Sequence, residues 1–269
     1  MTTQADKVDA FRRLHAEGCF VMPNPWDVGS AVALERMGFA ALATTSAGHA
    51  WTLGRPDNGV QLDEALEHLR QLASAVELPL NADFEGGFAD DPDEVAANVT
   101  LAVATGIAGL SIEDSTGDAD EPLYPFDLAV ERVHAARRAI DESGTGVLLT
   151  GRSEGFVVGR PDLEETIRRL KAYAEAGADC LYGPRISTTD EVSAVVAAVA
   201  PNPVNLLANA PFITVSEAAA LGVRRISVGG TLARTAWAGF LAAAEEIATQ
   251  GTFSRFSGLP DVDALLGSA

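Results

Sequence analysis

The sequence predicts one α/β domain, a single (β/α)8 barrel carrying an extra C-terminal helical segment. Three observations predict it. Eight short apolar runs alternate with longer amphipathic segments along the chain. Parallel strands buried on both faces read as such runs, and each needs a crossover helix to reach the next. Several amphipathic segments stop at a glycine just before the next apolar run, as at Met37-Gly38, Thr105-Gly106, Ala176-Gly177 and Leu221-Gly222. Glycine just past a helix end supplies the left-handed cap that turns the chain back toward the sheet. The length of 269 residues suits one barrel, which typically takes about 250. An open doubly wound sheet is the alternative that the same alternation permits.

In chain order, the candidate strands are Cys19–Met22, Ala40–Thr44, Leu78–Ala82 and Gly109–Ile112, then Val147–Thr150, Cys180–Tyr182, Val204–Leu206 and Ile226–Val228. The candidate helices between them are Ser30–Met37, Leu62–Ala75, Asp93–Thr105 and Leu128–Asp141, then Leu163–Ala176, Glu191–Val199, Val215–Ala220 and Thr231–Ala248. Pro161 and Asp162 open the fifth of these helices, since proline is tolerated where no helical N–H is needed. The barrel takes residues 1–250. Residues 251–269 form an extension that could exchange between subunits of a homo-oligomer, a dimer or tetramer. No linker, charge block or low-complexity stretch marks a second domain.

Composition narrows the function. Asp and Glu number 38 against 19 Lys and Arg, a net charge of −19, with 47% hydrophobic residues. Nucleic-acid and anionic-membrane binders need a basic footprint, so neither partner is expected. Cys19 and Cys180 are the only cysteines, which leaves no disulfide framework or zinc-finger spacing. The charged N-terminus shows no secretory leader. The longest uncharged span, Val192 to Ser216, is broken by Pro201, Asn202 and Pro203. A soluble, cytoplasmic protein is the expectation.

In such barrels the chemistry sits at the C-terminal ends of the strands. Asn81-Ala82-Asp83-Phe84-Glu85 ends the third strand, Ser111-Ile112-Glu113-Asp114 the fourth, and Gly54-Arg55-Pro56-Asp57 follows the second. Asp57, Asp83, Glu85 and Glu113 therefore point toward one mouth with no lysine among them. Carboxylates at close quarters repel, and a hard divalent cation relieves that repulsion. Oxygen donors without His or Cys favour Mg2+, or Mn2+, over Zn2+. Taken singly, each acid is as well explained as a helix cap or a solvated side chain.

Arg152, ending the fifth strand, suits bidentate capture of a substrate carboxylate, or else an ion pair with Glu154. Gly229-Gly230-Thr231 opens the last helix, where backbone N–H groups can take an anion, although close packing explains the glycines equally. Asn209 and Arg185 are further substrate-binding candidates on strands seven and six. His49 is the histidine nearest the mouth. His15, His68 and His134 read as surface or half-buried helical positions, and Trp237 and Phe240 as packing or subunit contacts.

These motifs together resemble the phosphoenolpyruvate mutase/isocitrate lyase superfamily over residues 15–250. Asn24-Pro25-Trp26-Asp27 is similar to its first-loop segment, and Gly54-Arg55-Pro56-Asp57 to its G-x-x-D. Asp83-Phe84-Glu85-Gly86-Gly87-Phe88 resembles its D-x-D-x-G-[YF], with Glu for the second Asp. Glu113-Asp114 resembles its strand-four E-D, and Arg152-Ser153-Glu154-Gly155-Phe156 its strand-five arginine. The resemblance implies a tetrameric barrel with swapped C-terminal helices. It also implies Mg2+ held by Asp83, with Asp57, Glu85 and Glu113 acting largely through water. Small 2-oxo, 2-hydroxy or phosphono acids are the implied substrates, with Thr45 and Ser46 binding the 2-oxo acid end and Arg152 its carboxylate.

One loop departs from the family. The lyases carry a K-K-C-G-H loop after strand four; here Ser115 to Pro125 contains no Cys, Lys or His. Strand six offers Pro184-Arg185 where the mutase has His. The reading that follows is a Mg2+-dependent lyase or decarboxylase of a small 2-oxo or 2-hydroxy dicarboxylate, working through an enolate. Arg152, Glu113 and Asp57 would carry the chemistry, and water or Tyr124 would return the proton. The alternatives are P–C chemistry (phosphonopyruvate hydrolysis or phosphonomutase activity, with Arg185 or Arg55 at the phosphoryl group) and a barrel that binds a 2-oxo acid without turnover.

Overall fold

The structure is a computed structural model describing residues 2–267, so Met1 at the start of the barrel and Ser268–Ala269 at the end of the extension lie outside the described residues. Eight strands form one parallel sheet: β1 (Phe20–Met22), β2 (Leu42–Ala43), β3 (Leu80–Asp83), β4 (Gly109–Glu113), β5 (Leu148–Arg152), β6 (Cys180–Tyr182), β7 (Val204–Leu207) and β8 (Arg225–Ser227). Their order, β1-β8-β7-β6-β5-β4-β3-β2, is that of a barrel nearly closed between β1 and β2. The seam is bridged locally. Ala43 N–H donates to Pro23 O at 3.1 Å and Asn24 Nδ2 to Thr44 O at 2.9 Å. Asn24 Oδ1 accepts the N–H groups of Val228 and Gly229, each at 2.9 Å. One side chain thus ties β1 to both flanking strands, which gives the Asn24-Pro25-Trp26-Asp27 segment its structural role.

The helices are α1 (Gln4–Ala16), α2 (Val28–Arg36), α3 (Ser46–Thr52), α4 (Leu62–Ala75), α5 (Pro92–Val103), α6 (Phe126–Ser143), α7 (Leu163–Glu175), α8 (Thr189–Val199), α9 (Val215–Ala220), α10 (Thr231–Gln250) and α11 (Val262–Leu266). Side-chain caps start many of them: Asp162 accepts from Glu165 N–H before α7, and Thr188 with Glu191 forms a reciprocal capping box at α8. At the far ends, Gly38 and Gly177 turn with φ of 86° and 102°, backbone that a β-carbon disfavours.

Side chains alternate across each strand. Leu80, Leu110, Leu149, Leu181, Leu206 and Ile226 pack outward under the helices and are fully buried. Most inward positions of β3 to β8 are polar instead: Asn81, Asp83, Ser111, Glu113, Thr150, Arg152, Tyr182, Asn205, Arg225 and Ser227, with Leu148, Cys180 and Leu207 as apolar exceptions. The interior is therefore polar, and it is closed at its base by α1. Phe11 of α1 is fully buried, and His15 Nε2 accepts from Arg225 Nη1 at 3.3 Å.

Two helices were not expected. In α1 the buried positions Val8, Phe11 and His15 lie on one face, but the rest of the segment is charged and masks the stripe. The short α3 begins at the Thr45 cap. The C-terminal extension folds against its own barrel here, with Arg36 Nη1 donating to Leu265 O at 2.6 Å, while Phe253, Phe256 and Leu259 are exposed. Trp237 and Phe240 form an exposed edge-to-face pair on α10, centroids 5.4 Å apart. No helix among the described residues is long and apolar enough to cross a membrane.

Candidate active site

Asp83, Glu113 and Arg152 are the last residues of β3, β4 and β5: Glu113 pairs in register with Arg152, while Asp83 pairs with Ser111, two residues before Glu113, and all three side chains face inward. Nη1 of Arg152 lies 3.0 Å from Asp83 Oδ1 and 3.0 Å from Glu113 Oε2, while its Nε pairs with Glu154. The arginine thus serves the ion-pair role with Glu154 and binds the carboxylates of two neighbouring strands as well. Burial alone would weaken its proton, but the charges of Glu113, Glu154 and Asp83 hold it firmly cationic.

Asp83 is fixed from its other side. Its Oδ2 accepts the N–H of Ser46 at 3.0 Å and the Ser46 hydroxyl at 2.9 Å. The same hydroxyl lies 3.4 Å from Asp57 Oδ1. Thr45 is buried and accepts from Gly48 N–H at 3.2 Å, capping α3. The short helix exists to present the Thr45-Ser46 turn to the carboxylates.

The acids repel one another and resist ionisation. Burial, then the charge of Asp83, raises Asp57. Burial, then Asp83 and Asp57, pushes Glu85 up to about 8. Burial raises Glu113 well above its ordinary value against the pull of Arg152. Glu85 sits at φ 47°, left-handed backbone that a non-glycine residue adopts at a cost, and this directs its carboxyl to the Asp83 side.

Whether these residues suit a divalent ion turns on donor chemistry. Among the described residues, no three His, Cys, Asp or Glu side chains lie close enough to grip an ion directly. Mg2+ asks for less: it keeps several waters and is bound through one or two carboxylates and substrate oxygens. An all-oxygen set of crowded carboxyl groups fits such a hydrated ion. Asp83 and Asp57 would hold it at the mouth, with Glu85 and Glu113 acting through water.

A cavity of about 190 Å3 opens here. Asp57, Asp83, Thr45, Ser46 and Arg152 line it, as do the rim residues Asn209 and Arg185, both exposed. Arg185 adopts φ 66° and, among the described residues, has no carboxylate within ion-pair reach. Glu85 and Glu113 stand behind the lining rather than in it. Arg55 pairs with Glu64 at 2.5 Å instead. Gly230 is explained by packing: a β-carbon there would lie 3.0 Å from the Trp51 ring.

Other candidates lie away from the cavity. The Tyr124 hydroxyl donates to Asp90, its ring is buried under the Arg132 guanidinium, and burial with that bond pushes it up to about 12. It is turned from the site because Asp114 and Arg169 hold its backbone. His49 stacks on His68 with centroids 3.7 Å apart, beside a separate cavity of about 20 Å3. His15 and His68 are buried core residues, not surface ones. The loop from Ser115 to Pro125 is folded by an antiparallel bridge from Ser115 to Leu123.

Sequence reading missed Tyr182, Asn205, Ser227, Arg225, Trp51 and Arg234, all of which line the cavity. A signal was present. In Val204-Asn205-Leu206 and Arg225-Ile226-Ser227, polar residues recur at every second position of apolar strands, which marks an inward polar face.

Comparison with known proteins gives the family. The family model for phosphoenolpyruvate phosphomutase matches residues 11–248. A Mycobacterium tuberculosis H37Rv protein without an assigned activity is 33% identical over 222 residues, covering 82% of this chain and 81% of its own. The oxaloacetate decarboxylase of Bradyrhizobium sp. ORS 278 is 31% identical, covering 65% and 62%. A crystal structure from Burkholderia cenocepacia J2315, of a protein named only to the level of lyase/mutase, is 46% identical with a TM-score of 0.95 and 98% of both chains covered. With a family model matching nearly the whole barrel, the chain belongs to the phosphoenolpyruvate mutase/isocitrate lyase superfamily.

Proposed function

We propose that the protein is a Mg2+-dependent enzyme that breaks a C–C bond of a small 2-oxo or 2-hydroxy dicarboxylate through an enolate, decarboxylation being the simplest such reaction. The observation that carries this reading is the cavity in which Asp57, Asp83, the Thr45-Ser46 turn and Arg152 meet, beside a strand-four loop with no Cys, Lys or His. Loss of CO2 needs no acid in that loop to release a carbon fragment. Relatives support the direction: oxaloacetate decarboxylases are among them, and an oxaloacetate acetylhydrolase structure holding oxalate shares the fold at 26% identity and TM-score 0.87.

Bound Mg2+ would act as a Lewis acid toward the developing enolate oxygen. The chain's own residues do the rest. Ser46 and Arg152 fix Asp83 from both sides, so the negative rim does not collapse or rotate. The Thr45 hydroxyl, which accepts from Gly48 N–H, still has its own proton to offer where charge develops, and preorganised donors are commonly the largest catalytic contribution.

A second reading has one observation in its favour. Among the described residues Arg185 and Arg234 on the rim have no carboxylate partner, and a phosphonopyruvate hydrolase structure with oxalate and Mg2+ shares the fold at 26% identity and TM-score 0.86. The deciding experiment incubates the protein with oxaloacetate or phosphonopyruvate, with Mg2+ or chelator, and follows pyruvate and phosphate. Mg2+-dependent pyruvate from oxaloacetate supports the decarboxylase reading. Phosphate release from phosphonopyruvate supports the second. Binding of oxalate without turnover of either would make the protein a binder.

A further inference from the structure

The enolate reading leaves a chemical gap: a proton must reach the carbon that loses CO2. The family's loop acid is absent, and Tyr124 is turned away on Asp90. No histidine, cysteine or lysine lines the cavity. Its acidic groups are Asp57, Asp83 and one phenol. The two carboxylates belong to the cation-holding set. The chain has three tyrosines; Tyr124 is bound to Asp90, and Tyr173 to Asp114 at 2.5 Å. Only Tyr182 reaches the cavity.

We propose that Tyr182 is the proton donor to the enolate carbon, an inference that rests on the enolate reading above. Its side chain occupies the inward position of β6, in register with Arg152 on one side and Asn205 on the other. The ring lies with its centroid 5.3 Å from the Arg152 guanidinium carbon, so the donor stands beside the group that gathers the carboxylates. Arg152 and the Ser227 hydroxyl favour the phenolate that a transfer would leave, against the charges of Glu154 and Asp83. Burial nevertheless pushes the phenol up to about 12, so it carries its proton throughout the working range and delivers it only to a strongly basic carbon. Tyrosine is an established general acid when held in reach.

The step balances. The bond between the reacting carbon and its carboxyl breaks, CO2 leaves, and the electron pair enters the enolate. The phenolic O–H then breaks as the new C–H bond forms. A solvent water returns a proton to the phenolate, restoring Tyr182.

The test is Y182F, assayed by NMR for Mg2+-dependent hydrogen–deuterium exchange at C3 of pyruvate in D2O, alongside oxalate binding by calorimetry. Phenylalanine keeps the ring packing, and bound oxalate reports a folded, assembled site. Native protein should exchange and bind oxalate. Y182F should bind oxalate within about threefold of native while exchange slows about 100-fold or more, the scale of a lost general acid. Exchange by Y182F at the native rate would overturn the assignment. So would joint loss of oxalate binding and exchange, which would make Tyr182 a binding residue. Failure of the native protein itself to exchange pyruvate would sink the enolate reading before Tyr182 is reached.

Discussion

Nη1 of Arg152 stands 3.0 Å from Oδ1 of Asp83, and this single contact joins the third and fifth strands of the barrel across their C-terminal mouth. The same nitrogen reaches Glu113, and the adjacent Nε reaches Glu154. One guanidinium therefore answers three carboxylates, while Asp57 and Glu85 remain beyond its reach. On the proposed function that imbalance would give a cation a place in the site, and Arg152 would carry both stability and chemistry.

R152M should therefore be costly twice over. Removing one partner of a buried ion cluster leaves the remaining charges uncompensated and costs about 3–5 kcal/mol, read as a lower urea midpoint. Turnover of a 2-oxo diacid should fall by about 100-fold or more, as when one preorganised donor is deleted from an active site. R152K should recover part of the stability and little activity, because an ammonium lacks the planar fork that reaches three carboxylates. Native-like turnover by R152K would show that only the charge matters.

Metal addition and removal should be visible without any assay of turnover. Chelator should leave the fold intact, and Mg2+ with oxalate should raise the unfolding free energy by about 2.7 kcal/mol at a hundredfold excess over Kd. D83N should abolish that rise. Asp83 accepts on both oxygens, from Ser46 on one side and Arg152 on the other. An asparagine can present its oxygen to only one of them, and its NH2 group meets donors on the other. A Mg2+-induced shift that survives in D83N would remove Asp83 from the cation site.

Much of this site was legible because strand-end position and side-chain chemistry are both local in sequence. Asp83, Glu113 and Arg152 close apolar runs, and a parallel barrel brings such residues to one mouth whatever the loops do. The partners that finish the site come from elsewhere in the chain. Ser46 and Asp83 are 37 residues apart, and only packing reveals that the Ser46 hydroxyl faces Asp83 and Asp57. Tyr182 was hidden for another reason: in a short apolar run it reads as core. Its role depends on which face of β6 points inward, a register that pairing with β5 and β7 decides. The N-terminal helix escaped because its buried positions, Lys7, Val8, Phe11 and His15, include two ionisable residues and lie among charged neighbours.

Acid should destabilise the protein through two buried histidines. Burial, reinforced by Arg225 and more weakly by Arg224 and Arg12, depresses His15 to about 3. Burial, with His49 as a lesser cause, depresses His68 to about 3. Both are neutral in the fold at neutral pH. In the unfolded chain they titrate near 6.5. From there down to about 3 the unfolded chain takes up protons that the fold refuses, so stability falls as pH falls, by up to about 1.4 kcal/mol per pH unit for each histidine. Above that window they contribute no slope. Carboxyl groups titrate in the same range, so the comparison to make is native against H68F in urea at successive pH values. The gap between them should shift in favour of H68F as pH drops from 7 to 4. A gap that stays constant would mean that His68 is protonated in the fold.

The last prediction concerns a residue outside the cavity. Gly151 faces outward from β5 against α7, and a β-carbon there would lie 2.7 Å from Cβ of Tyr173 and 3.2 Å from its ring. The Tyr173 hydroxyl donates to Asp114 Oδ2 at 2.5 Å, which also accepts from Arg169 at 3.1 Å, while Asp114 Oδ1 accepts the Glu154 N–H at 2.7 Å. Displacing the ring therefore pulls on the residue beside Glu113 and on the backbone of the partner of Arg152. G151A should cost about 1–3 kcal/mol, the range for an overpacked core. Y173F keeps the ring but leaves Asp114 one donor short, at about 1–3 kcal/mol. If G151A acts by breaking the Tyr173–Asp114 bond, that bond cannot be lost twice. The double variant G151A/Y173F should then be more stable than the sum of the single losses predicts, by an amount that a double-mutant cycle measures directly. Strict additivity in urea unfolding would show that Tyr173 keeps its hold on Asp114 after the clash, and that the strain is absorbed elsewhere along α7.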